Sequence, residues 1–471
     1  MTQPSSGKVN ASLLLSITML SSFFNPMLGA AVNIALPYIG NEFSVGAVQL
    51  SWITMGFLLS SAVFLVPFGK VGDMWGRKKM FLLGNVFLGF ASLMCALSVS
   101  ADFLVTARFL QGIGSAMMVA ASMAMVISAF PVEQRGKVIG LNVAAVYVGL
   151  SASPILGGVL TQHLGWRSLF FISAVVSFVV VLLVIWKIRA EWVEAKEDKF
   201  DWKGTLIYIP SMTSLMYGFS NLPTTAAFLF VIFGISGLLL FVFVELIVPF
   251  PVLNMQLFFK NKVFAASNFS AFINYAATFA VSFILSLYLQ YAKGLTPSEA
   301  GLILITQPLL MASVAVIAGR LSDKNNPQVL ASLGMSISVV GLLMLAFIAV
   351  DSSQAYIVSA LAMLGIGFGI FSSPNTTMIM SSVERRYLGV ASATVSTMRS
   401  TGMMFSMAIA TLSVFLFVGN EIITEKNLPS FIKSAQTVFF IFSVLCVFGV
   451  FLSLMRGKRK KENIVINNSN L

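Results

Sequence analysis

The sequence predicts an all-α membrane protein of fourteen helices, and three observations carry that prediction. Of its 471 residues, 58% are hydrophobic and only 10% charged, with a mean hydropathy of +0.92, a mixture that cannot cover a soluble surface. Its apolar residues run on without interruption for lengths that suit a helix crossing a hydrocarbon core, which takes about 20 residues. They do not alternate with polar residues in the segments of about ten that make barrel strands.

A window of that width places the spans near 12–36, 48–68, 80–100, 103–126, 138–161, 168–188, 204–221, 226–246, 263–288, 300–318, 329–349, 355–377, 390–416 and 434–455. The first is too long, and its flank with Lys8 too weakly basic, for a cleaved signal peptide. The second and third are joined by the short, charged, glycine-punctuated stretch Gly69 to Lys79, which makes them antiparallel neighbours. In the fourth, Arg108 lies six residues past Asp102, almost two turns in. An isolated Arg there costs about 2.5–3.5 kcal/mol on insertion scales and calls for a wet cavity, a partner or backbone carbonyls to clamp. The fifth carries Gly149, Ser153 and Gly157, a small face for close packing, with Gly158 beside it and Pro154 to bend the helix.

Near the end of the eighth span Glu245 precedes Pro249 and Pro251, where snorkelling or a loop contact with Lys260 or Lys262 competes with a coupling role. Arg399, about ten residues into the thirteenth span, is open to a functional role as Arg108 is, but reads more readily as an arginine reaching the inner interface or packing on spans ten and eleven. After the last span, Arg456 to Lys461 forms a basic tail, a topology anchor against anionic headgroups rather than a nucleic-acid patch.

With the N-terminus inside, most of the 29 basic residues fall on the cytoplasmic side, and only Arg167, Lys293, Lys426 and Lys433 fall outside. Both termini are then cytoplasmic, and the net charge of +12 needs no nucleic-acid partner. Cys95 and Cys446 sit inside apolar runs, so neither a disulfide framework nor a metal site is expected. His163, the only histidine, lies near the outer end of the fifth span, and no base stands beside a nucleophile as an intramembrane enzyme requires. No nucleotide-binding loop is present, so energy is expected from an ion gradient, with no cofactor.

The chain repeats itself. Gly319 to Asp323 follows the tenth span as Gly69 to Asp73 follows the second, with the same G-x-x-x-D spacing. The expected organisation is a six-helix bundle over 1–188, a linker with inserted spans seven and eight over 189–262, a second six-helix bundle over 263–455, and the tail 456–471. Paired bundles of this kind bind their substrates near the midplane, between the halves.

Gly69, Asp73, Gly76, Arg77 and Lys78 match the G-x-x-x-D-x-x-G-R-K signature of the major facilitator superfamily, and Arg108 with Gln111 and Gly112 matches a second signature in the fourth span. Phe200-Asp201-Trp202-Lys203-Gly204, Tyr288-Leu289-Gln290 and Phe371-Ser372-Ser373-Pro374-Asn375 are similar to landmarks of its fourteen-helix drug:proton antiporter family. The resemblance covers nearly the whole chain. It implies a major facilitator fold and alternating access, with Gly69, Asp73, Gly76, Arg77 and Asp323 in the gate and Arg108 in the proton path. Arg399 is open to the same proton-pathway or gating reading as Arg108. Asp73 is expected to meet the N-terminal amides of the thirteenth span, near Gly389.

Two departures stand out. The G-x-x-x-G-P-x-x-G-G of the fifth span has Ser153 for its second glycine. In the first span Val32-Asn33-Ile34-Ala35-Leu36-Pro37 is intact, but Leu28 stands five residues before Asn33, where many cation exporters of the family carry an Asp. With that carboxylate missing, Asp102 and Glu245 are the acids to consider for coupling. The candidate cavity residues are Asn25, Asn33, Tyr147, Asn274, Tyr275, Gln307 and Asn375, and each competes with a plain interhelical hydrogen bond. The expected activity is export of small amphipathic drugs or toxic compounds in exchange for protons, by a monomer in a bacterial-type inner membrane. Anionic or neutral amphiphiles such as fatty acids or lysolipids are the alternative cargo, and a non-transporting receptor or assembly component is the alternative of another class.

Overall fold

The computed structural model describes residues 11–193, 200–222, 224–249, 251, 253, 255–383 and 388–455. Among them there are helices and no strands. The first eight helices are α1 (Ala11–Phe43), α2 (Ala47–Trp75), α3 (Arg77–Ala96), α4 (Ala101–Ala129), α5 (Val132–Leu164), α6 (Arg167–Lys187), α7 (Trp202–Asn221) and α8 (Thr225–Ile247). A short α9 (Met255–Lys260) leads into α10 (Lys262–Thr278), α11 (Val281–Leu287) and a π-helical turn, Tyr288–Ala292. Then come α12 (Pro297–Leu304), α13 (Thr306–Lys324), α14 (Pro327–Ala346), α15 (Gln354–Ser381), α16 (Leu388–Val418) and α17 (Leu428–Leu454).

Side chains at the boundaries explain where many of these helices start. Ser100, Asp201, Thr224, Asn261 and Ser353 each accept a backbone N–H of the first turn. Thr296 and Glu299 form a reciprocal capping box with Pro297 in the first turn of α12.

The ninth and tenth spans are each expected as one helix and are each broken. Pro308 removes the donor that would bind the Leu304 carbonyl, and the chain turns at Ile305 between α12 and α13. No proline marks the break between α10 and α11; there the Ala280 amide donates instead to the Ser406 hydroxyl of α16, at 2.9 Å. That contact is tertiary and leaves no local sign.

Thirteen described segments are long and apolar enough to cross a membrane, and α7 is not among them. It nevertheless runs the length of α8 in an antiparallel hairpin: Gly204 lies against Glu245, Gly234 against Leu215 and Gly218 against Val231. As the seventh expected span it is held by its partner helix rather than by its own hydropathy.

The two halves pack by one scheme. In the first, α1 pairs with α5 and α6, α2 with α4, and α3 with α4 and α6. In the second, α10 pairs with α16 and α17, α13 with α15, and α14 with α15 and α17, which is the same set of contacts eight spans later. Gly84 and Gly114 let α3 and α4 touch backbone to backbone, and Gly334 and Gly367 do so for α14 and α15.

Candidate transport site and gate

The basic loop after α2 is built around Gly76. Its φ of 126° ends α2, and its amide closes that helix on the Gly72 carbonyl at 3.0 Å. The amides of Arg77 and Lys78 then open α3, and the segment after α6 supplies their acceptors: the Trp192 carbonyl takes Arg77 N–H at 2.9 Å and the Glu191 carboxylate takes Lys78 N–H at 2.8 Å. Glu191 thus lies on the electropositive end of α3. The sign for it in the sequence is the helix end at Gly76, which frees donors that need an acceptor.

Arg77 is buried and pairs with Asp73 at 2.7 Å, while it also donates to the Ala124 carbonyl and the Ser128 hydroxyl of α4. The described partner of Asp73 is therefore Arg77. Residues 384–387, the approach to α16 where Asp73 is expected to dock, lie outside the described residues, as does the basic tail 456–471. Asp323 falls in the last turn of α13, and its side chain is likewise outside the described residues. A Cβ on Gly69 would meet nothing within 4 Å, so packing in this conformation does not require glycine there.

Arg108 is 1% exposed inside the first bundle. Its Nε donates to the Ile53 carbonyl at 2.9 Å and Nη1 to Gln111, whose amide passes on to Ser92 at 2.7 Å and from there to Ser173 at 2.9 Å. The guanidinium lies 4.4 Å from the Phe57 ring centroid, and Nη2 has no acceptor. A cavity with room for about one water molecule lies beside it, lined among others by Asn25, Leu28 and Gln111. Asn25 meanwhile donates to Ser115 at 3.0 Å. Leu28, the position of the missing Asp, is thus next to the arginine.

The two acids considered for coupling lie elsewhere. Asp102 is exposed and accepts from Gln49 at 2.6 Å. Glu245 is 2% exposed and accepts the Leu253 amide at 2.9 Å, folding the chain back after α8. A Cβ on Gly204 would collide with carboxylate oxygens of both Asp201 and Glu245, so these two acids converge at the α7–α8 hairpin.

The glycine face of α5 is divided between two neighbours. Gly149 and Gly157 pack on Phe23 and Ala31 of α1, within the first bundle. Gly158 packs on Pro297 and Ser298, and the Pro154 carbonyl on Gly301, both in α12 of the second bundle. Ser153 is 1% exposed, with no partner for its hydroxyl. The bundles also meet where Ser286 donates to the Asn33 carbonyl at 2.8 Å, Gln290 to that of Ile34 at 3.0 Å, and Thr411 to Ser51 at 2.8 Å. These contacts gather in the half of the molecule away from the basic loops. Nearer the middle, Ser151 donates to the Pro308 carbonyl at 3.0 Å and Tyr147 bonds Ser372 at 2.8 Å.

The expected cavity residues are divided by this geometry. Tyr147 and Tyr275 come together between the bundles, with Phe368, Met311 and Met403. Asn33 ties α1 to Thr54 at 2.8 Å, Asn375 donates to the Ser267 carbonyl at 3.2 Å, and Asn274 is fully buried inside the second bundle. Gln307 is half-buried, its carbonyl against Gly365. Arg399, expected to reach the interface or pack on spans ten and eleven, instead touches Tyr275 of α10 and Thr376 of α15. A larger groove of about 530 Å³ lies elsewhere, between α2 and α7, and no charged side chain lines it.

The model of the Major Facilitator Superfamily matches residues 18–407 and 267–468. The chain belongs to that superfamily. It is a membrane-embedded transporter and not an enzyme, and its fold of two bundles with two inserted helices is the superfamily's. Over 457 residues it is 28% identical to the riboflavin transporter RibZ of Clostridioides difficile (strain 630), covering 96% of this chain and 99% of that one. It is 26% identical to multidrug resistance protein 3 of Bacillus subtilis (strain 168), covering 86% of this chain and 79% of that protein. A solved bacterial homolog of the human lysosomal transporter Spinster, inward-facing and unoccupied, superposes with a TM-score of 0.70 at 15% identity, covering 96% of this chain and 98% of that one. Arg399 and Glu191 belong to none of the signatures quoted above, and tertiary contacts place them.

Proposed function

We propose that this transporter exports small amphipathic compounds, multidrug substrates among them, in exchange for protons by alternating access across a cytoplasmic membrane. Its basic loops and both termini face the cytoplasm, and it works as a monomer surrounded by lipid, with no cofactor. The observation that carries the reading is the cluster of Tyr147, Tyr275, Phe368, Met311 and Met403 where two equivalent bundles meet. Aromatic rings and flexible thioethers form a surface that adapts to varied apolar cargo. The seam contacts away from the basic loops fit the state open to the cytoplasm, and the second state requires them to exchange for contacts at the Asp73 end. Arg108 belongs to the proton path in this reading, because its hydrogen-bonded chain to Gln111, Ser92 and Ser173 reaches across the bundle beside a water-sized cavity.

The test is flux in sealed proteoliposomes under an imposed pH gradient, with ethidium as an amphipathic cation and naphthalene-2-carboxylate as an amphipathic anion. Gradient-driven movement of at least one probe, lost in Arg108→Ala, is the expected result. Binding of a probe to the purified protein with no flux under any gradient overturns the reading in favour of a receptor.

A further inference from the structure

Arg108 and Arg399 lie well inside their spanning helices, and among the described residues neither has a carboxylate within ion-pair distance. They are placed differently. Arg108 is enclosed, held by a carbonyl and an amide and walled by Phe57 and Phe170. Arg399 is only partly buried, and the Tyr275 ring it touches clusters with Tyr147 of the first bundle. Its Nη2 donates to the Thr376 hydroxyl at 2.8 Å, its guanidinium lies 5.7 Å from the Tyr275 ring centroid, and its Nε is shut away from solvent with no acceptor.

The surroundings of Arg399 are organised along one face of α15. Phe368, Ser372 and Thr376 are spaced four residues apart and so lie one above another. Phe368 takes Tyr275 edge to face at 5.1 Å, Ser372 takes the Tyr147 hydroxyl from the other bundle at 2.8 Å, and Thr376 takes Arg399. The stripe is therefore aromatic at one end and cationic at the other. A guanidinium with unused donors in such a place lacks a counterion, and planar carboxylates or phosphates are what its fork binds best.

We propose that Arg399 is the anion-recognising residue of the transport site, and that the cargo is an aromatic amphiphile with a negatively charged group. The charge meets the Arg399 guanidinium, and the rings lie along Tyr275, Phe368 and Met311. This rests on the export reading above and names its substrate class. Because Tyr147 belongs to the first bundle and Arg399 to the second, cargo held there touches both bundles, as a substrate that shifts the balance between two states must.

The experiment pairs binding with flux, using the full-length protein, naphthalene-2-carboxylate, its neutral amide and ethidium. Calorimetric binding to purified wild type, Arg399→Gln and Arg399→Lys is measured alongside thermal melting, so that a misfolded variant is recognised. The expected result is that the carboxylate binds wild type at least tenfold more tightly than the amide. Arg399→Gln erases that difference, Arg399→Lys restores part of it, and ethidium binding is unchanged or stronger in both. Flux of the carboxylate follows its binding. Equal affinity for carboxylate and amide in wild type overturns the proposal, as does an equal loss for carboxylate and ethidium in a folded Arg399→Gln protein. Carboxylate binding that depends on Arg399 without any flux supports the anion site and removes the export reading instead.

Discussion

At the scale of single residues, Leu28 stands in the first helix where many cation exporters that the chain resembles carry an Asp. It lines the small cavity beside Arg108, so the arginine has carbonyl, amide and aromatic neighbours but no anion. Leu28→Asp is expected to fold and to pair with Arg108. In a double-mutant cycle with Arg108→Gln, read by thermal or chemical denaturation, the coupling should be favourable and about 0.5–3 kcal/mol, the range for groups in contact. A coupling of zero would show that residue 28 does not face the arginine. Family signatures pointed to Arg108 because its motif is local. They gave no sign of Arg399, whose aromatic neighbour Tyr275 lies far from it in sequence.

At the scale of elements, α5 shows how one helix serves two contacts. Its glycines at 149 and 157 lock it to α1, and the adjacent Gly158 abuts α12 across the seam. Gly157→Leu overpacks the first bundle and should cost about 1–3 kcal/mol, seen as a lower melting temperature. Gly158→Leu pushes against a surface that separates in the proposed cycle. It should leave melting nearly unchanged and raise maleimide labelling of a cysteine placed at the buried seam residue Ser286. Equal labelling with and without Gly158→Leu would remove the seam assignment. The glycine pattern made α5 legible as a packing helix, but spacing alone could not say which glycine faces which bundle.

At the scale of the whole molecule, the proposed alternating-access cycle requires the seam at Ser51 and Thr411 to open. Their hydroxyls are 2.8 Å apart on α2 and α16, which puts cysteines at both positions within bonding reach. In a background lacking Cys95 and Cys446, which are both buried and free, oxidation of Ser51→Cys/Thr411→Cys should stop transport by roughly tenfold or more, as expected when a required state becomes inaccessible. Reduction should restore it. Full transport by the cross-linked protein would show that the bundles do not part there.

Composition, hydropathy and charge determined by themselves that the chain is helical and embedded in a membrane, because each apolar span must satisfy its own backbone within the bilayer, and the repeated G-x-x-x-D loops pointed to two related halves. The resemblance to the superfamily's signatures singled out the loop Gly69 to Lys79 and Arg108. Local patterns did not foresee that α7 packs along α8 in a hairpin, or that the ninth span breaks at Ala280. Nor did they show which polar residues meet between the bundles. Those outcomes depend on contacts such as Ser406 with Ala280, Tyr147 with Ser372 and Arg399 with Tyr275, made across more than a hundred residues of chain. Tertiary structure decided them, because a buried donor or charge takes whichever partner the packed bundle brings within reach.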